Sequence, residues 1–100
     1  MLLAIAATGC ATTADVQQQP PSRQFQTSKT ALELEQCFAL RLSRYGLPST
    51  IRGPASTIMA YGQPNPAFTL TILVGTQTMV ELRTPIAKDS GIQRDITPCL

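Results

Sequence analysis

One hundred residues leave room for one small domain. Of these, 43% are apolar and 14% charged, too apolar a balance for a chain disordered throughout, and a net charge of +2 gives nucleic acid no clustered basic face to meet. The chain has no His, which excludes Ser-His-Asp and Cys-His catalysis, His-ligated zinc or haem, and any His pH switch.

The chain opens with a short apolar run, Leu2 to Ala7, well below the ~20 residues of a membrane span. Small residues follow it, the pattern of a secretion signal that takes no part in the fold. An ordinary signal peptide cut after Gly9 or Ala14, with Cys10 incidental, is one reading. The other comes from Ala7-Thr8-Gly9-Cys10, which resembles the lipobox of the bacterial lipoprotein class. That resemblance implies a signal peptide over residues 1–9, acylation of the Cys10 thiol, cleavage before Cys10 and acylation of the new amino group. Asp after the lipidated Cys retains such proteins in the inner membrane of enterobacteria. Ala11 stands there, so the resemblance implies the outer membrane, with the domain in the periplasm.

Residues 11–28 are rich in Gln, Thr, Ser and Pro, with Val16 and Phe25 the sizeable apolar side chains. Such a stretch buries too little surface to offset its ordering entropy, so residues 10–28 are expected to be a lipidated Cys and a disordered tether. The domain is expected over 29–100.

Thr30-Ala31-Leu32-Glu33 is a capping box, with Thr30 at the N-cap and Glu33 reaching back to it. Leu34, Cys37, Phe38, Leu42 and Tyr45 then recur on one helical face, which predicts a helix over 30–45. Gly46 suits the C′ position, Leu47 is placed to fold back onto the helix, and Pro48 forbids its continuation. Arg41 falls inside the apolar face. Either its stem lies on the core and its guanidinium in water, or it meets a partner carboxylate, with Glu81 the best candidate, or it lines a binding groove.

Beyond Pro48 the pattern becomes β. Strands are expected at Thr50–Arg52, Ser56–Tyr61, Phe68–Val74 and Gln77–Arg83, separated by turns at Gly53-Pro54-Ala55 and Gly62–Pro66. A two-residue loop at Gly75-Thr76 would set the apolar face of one strand against the polar face of the next. Three or five loop residues instead align Ile72 with Val80 and Leu70 with Leu82, which keeps the buried face in register. After Pro85 the chain reads as loop, with one helical turn or an edge strand near 92–96. The fold class is α+β: one helix on an antiparallel sheet of three or four strands.

Three Cys leave an odd one in a secreted chain. With Cys10 acylated as the resemblance implies, Cys37 and Cys99 remain as a disulfide pair in an oxidising compartment. A buried free Cys37 and a frayed Cys99 are the alternative. Catalytic readings are poor. Lys88 and Ser90 lie in a polar loop rather than a buried dyad, and Asp89, Asp95 and Glu81 read as turn and surface carboxylates. No phosphate loop, metal-ligand spacing or cofactor motif is present. Interaction remains, at the outward sheet positions Thr57, Met59 and Tyr61, the Gly62–Pro66 loop or an open sheet edge, although Met59 and Tyr61 also suit a core. The expected function is a lipid-anchored, non-enzymatic envelope protein that binds another envelope protein. The alternative is an inhibitor or immunity protein acting on a hydrolase or toxin.

Overall fold

The computed structural model describes residues 13–62, 66–85 and 89–100. The signal segment with the Ala7–Cys10 motif, residues 63–65 of the Gly62–Pro66 loop and Lys88 lie outside the described residues. In chain order the elements are α1 (Thr13–Gln17), β1 (Arg23–Thr27), α2 (Ala31–Arg41), β2 (Ser49–Arg52), β3 (Ser56–Tyr61), β4 (Phe68–Leu73), β5 (Thr78–Arg83) and α3 (Asp89–Ile96). The strands form one antiparallel sheet in the order β1-β5-β4-β3-β2. The fold is therefore α+β, with five strands rather than three or four.

The capping box starts α2 as its residues require. The Glu33 amide donates to Thr30 Oγ1 at 3.2 Å, and the Thr30 amide donates to Glu33 Oε1 at 2.8 Å. The hydrogen bond from the Thr30 amide and, after it, the Thr30 side chain hold the Glu33 carboxyl below its ordinary pKa. The helix ends at Arg41, four residues early. A 3-10 turn over Ser43–Tyr45 replaces its last turn, and Gly46 leaves that turn at φ +91°, a left-handed backbone that favours glycine. Leu34, Phe38 and Leu42 bury one face of α2 against Met59, Tyr61, Phe68, Leu70, Ile72, Val80 and Leu82.

The register follows that buried face. Leu70 pairs with Leu82, Ile72 with Val80, and Leu73 with Met79, leaving the five residues 74–78 between the last pair. The alternation then sends Thr69, Thr71, Glu81 and Arg83 to the opposite face.

The opposite face explains why residues 13–28 are not a free tether. Thr69, Thr71 and Arg83 are buried there and need polar partners. The Gln-rich segment supplies them. Gln17 Nε2 donates to Thr69 Oγ1 at 2.8 Å, Gln17 Oε1 accepts from Thr71 Oγ1 at 3.0 Å, and the Gln19 carbonyl accepts from Arg83 Nε at 2.8 Å. Val16 is fully buried beside them. Residues 23–27 then add β1 to the edge of β5, with Phe25 opposite Val80 and packed on the core. The centre of the sheet is covered on both sides, and five of the six β4 residues are buried.

The segment expected as loop after Pro85, with one helical turn or an edge strand near 92–96, holds the helix α3 from Asp89 to Ile96. Ile92 and Ile96, one turn apart, are buried in the core beside α2. Past them a 3-10 turn over Thr97–Cys99 delivers Cys99 to Cys37, and the two form a disulfide with Cα atoms 5.6 Å apart. The chain end is tied once more where Thr27 Oγ1 donates to the Leu100 carbonyl at 3.0 Å.

Candidate functional site

Several residues singled out from sequence lie elsewhere than expected. Arg41 is exposed in the last turn of α2. It does not meet Glu81, because the register puts Glu81 on the sheet face opposite α2. There Glu81 accepts from Arg83 at 2.9 Å and from Gln24 at 3.1 Å. Thr57, Met59 and Tyr61 do not form an outward contact patch. Odd positions of β3 point toward α2, so all three are buried, and Met59 and Tyr61 belong to the core. Tyr61 stacks on Phe68 with ring centroids 4.8 Å apart, and Tyr45 meets the same Phe68 edge-on at 5.2 Å. The Tyr61 hydroxyl has no hydrogen-bond partner among the described residues, and burial pushes its pKa up to about 12.

Of the carboxylates singled out from sequence, Asp95 and Glu81 do not converge, and the Asp89 side chain lies outside the described residues. Asp95 lies in the helical layer, 2.7 Å from the Arg44 guanidinium and 3.5 Å from that of Arg94, and Glu81 is across the sheet. A hydrogen bond to the Tyr45 hydroxyl, and after it the Asp95 charge, raise the Arg44 pKa further. Among the described residues no group of three or more His, Cys, Asp or Glu is placed to hold a metal. A cleft of about 300 Å³ is lined by Thr27, Ser28, Thr76, Gln77 and Thr78, none of which titrates near neutrality. It offers neutral hydrogen-bonding groups and no acid or base.

What the fold does present is an edge. β1 and β2 are the outer strands, and β1 is largely polar, with Gln24 and Gln26 exposed. At the other edge β2 pairs with β3 alone among the described residues, so the backbone N–H and C=O groups of alternate residues point outward. Charged side chains guard such edges in many proteins. The only charge on β2, Arg52, is drawn to the helix face, where it pairs with Glu35 of α2. Apolar side chains surround the edge instead. Ile51 is 55% exposed, and Leu47, two residues before β2, is 93% exposed rather than folded back onto the helix. Gly46 and Pro48 hold Leu47 away, since φ +91° at Gly46 turns the chain off the helix axis. Leu40, 77% exposed in the last turns of α2, completes a stretch in which three large apolar residues face water within twelve positions. An open edge was among the surfaces expected, but Leu47 was missed because the C-cap pattern predicts a folded-back contact.

Comparison with family models, with curated proteins and with solved structures finds no match to this chain.

Proposed function

We infer that the protein is a lipid-anchored component of the bacterial cell envelope, held in the outer membrane through Cys10, whose periplasmic domain binds another envelope protein and catalyses no reaction. The lipobox resemblance of Ala7-Thr8-Gly9-Cys10 supports the anchor, and Ala11 after it supports the outer membrane. A disulfide-stapled small domain suits an oxidising compartment. The binding half rests on one observation: the free β2 edge with Leu47 and Ile51 exposed beside it. An extended partner segment would satisfy the outward backbone groups by adding a sixth strand, while its alternate side chains pack on those apolar residues.

The test is crosslinking in intact envelopes with the wild-type chain and with Leu47→Glu. Leu47 is 93% exposed, and a surface substitution of this kind shifts stability by about 0.5 kcal/mol or less. The expected result is a discrete crosslinked envelope protein that the variant loses with its thermal melt unchanged. A partner retained by the variant overturns the β2 site. A partner that is a hydrolase or toxin moves the function to an inhibitor or immunity protein.

A further inference from the structure

The folding of residues 13–28 onto the sheet changes what an anchor at Cys10 does. Eighteen free residues would let the domain stand well off a bilayer. With α1 docked, only Ala11 and Thr12 separate Cys10 from Thr13, a reach of about 11 Å at full extension. Thr13 begins a helix of five residues whose last, Gln17, is hydrogen-bonded to Thr69 and Thr71. The leash therefore ends on the sheet face that carries α1, and α2 and α3 lie on the other side of the sheet.

The α1 face has a composition that fits this placement. Ile58 is the cross-strand partner of Thr71, and Ile51 is the partner of Ile58. Leu73 lies two residues beyond Thr71 on the same face, opposite Met79. Ile51 is exposed, and Ile58, Leu73 and Met79 are partly so. These four apolar side chains occupy two adjacent rows. Glu81 and Arg83, the charged residues of β5 on that face, are paired with each other at 2.9 Å.

We propose that this face, Ile51, Ile58, Leu73 and Met79 beside α1, rests on the lipid bilayer that holds the Cys10 acyl chains, and that the α2 layer faces the periplasm. The proposal rests on acylation of Cys10. The short leash makes contact with the bilayer intramolecular, with an effective concentration on the order of millimolar, so a small apolar patch suffices. Because the patch carries no net charge, it enters the headgroup and acyl boundary by apolar contact and not by attraction to anionic lipid. This orientation leaves the β2 edge open sideways to a partner and holds Leu40 away from the membrane.

The test uses the full chain extracted from membranes, with intact mass measured first. An environment-sensitive fluorescent amino acid replaces Ile51, Leu73 or, as control, Leu40, and each protein is reconstituted in phosphatidylethanolamine/phosphatidylglycerol vesicles. Probes at 51 and 73 are expected to be quenched by a lipid-borne quencher, in low salt and in high salt alike, while the probe at 40 is quenched by aqueous iodide alone. Hydrogen exchange on the unaltered chain tests the same contact without a probe: β2 and the β4–β5 loop should be protected on vesicles relative to detergent. Acylated protein whose probes at 51 and 73 stay in water overturns the proposed face and leaves the anchor standing. A Cys10 without acyl mass overturns both. A blue shift without lipid quenching, together with a doubled mass in detergent, assigns the face to a second copy and overturns the proposal.

Discussion

Opening the Cys37–Cys99 bridge should remove a large part of the stability of this domain. The bond joins residues 62 positions apart. Loop-closure entropy for a loop of that length amounts to about 4 kcal/mol at 25 °C, against the ~5–15 kcal/mol expected for a whole domain. The other ties on the C-terminal segment are slighter: Ile92 and Ile96 in the core, the Arg44–Asp95 pair with its guanidinium largely in water, and one hydrogen bond from Thr27 to the terminal residue. Cys37→Ala/Cys99→Ala should therefore lower the melting temperature by about 20 °C, taking ~4–8 °C per kcal/mol for a domain of this size. Reduced wild-type protein should melt close to the variant. Urea denaturation followed by circular dichroism measures the loss directly. A loss below about 1 kcal/mol would refute the reasoning, because it would mean that α3 and the chain end are held without the bond.

Three further variants check other parts of the account. Val16→Ala should cost about 1.5 kcal/mol, two buried methylene equivalents, in urea denaturation, whereas a free tether predicts no change. Tyr61→Phe removes a buried hydroxyl that lacks a partner among the described residues, so stability at pH 7 should hold or rise by up to ~1 kcal/mol, and a clear loss would show that the hydroxyl is bonded. The same variant carries a pH signature. The Tyr61 pKa is raised from about 10 to about 12, so this contribution to stability is complete below pH 10 and is lost as pH climbs toward 12, a decline the Phe variant should lack. Arg41→Ala should change stability by less than about 0.5 kcal/mol, since Arg41 is exposed on the far side of the sheet from Glu81; a loss of several kcal/mol would restore a buried ion pair.

The legible elements were those whose signals are local or that follow from one buried face. The capping box of Thr30 and Glu33, the Leu34–Phe38–Leu42 stripe and the pairing of Ile72 with Val80 required no knowledge of distant partners. The Cys37–Cys99 bridge followed from counting, once Cys10 was set aside. By contrast, α1 and β1 were hidden because the stretch has few apolar residues, and its stabilising contacts are polar. Gln17 and Gln19 act on Thr69, Thr71 and Arg83, more than fifty positions away, and nothing within residues 13–28 announces those partners. The helix α3 was masked by Asp89-Ser90-Gly91, which reads as a turn, and by Gly91, a poor helix former. Its two isoleucines are apolar anchors one turn apart, too few to fix a period without the disulfide beside them. Leu47 escaped a local rule, because Gly46 has the positive φ expected at a helix end but an extended ψ of −168° in place of the αL value, and that sends Leu47 outward.

The anchor is the claim on which location, orientation and partner class all depend, and intact mass spectrometry of the protein extracted from envelope membranes tests it most directly. The account predicts a mature chain beginning at Cys10, with a diacylglyceryl group on its thiol and a further acyl chain on its amino group, and a Cys10→Ser variant that is released or left as uncleaved precursor. A mature chain beginning elsewhere, or beginning at Cys10 without added acyl mass, would contradict it.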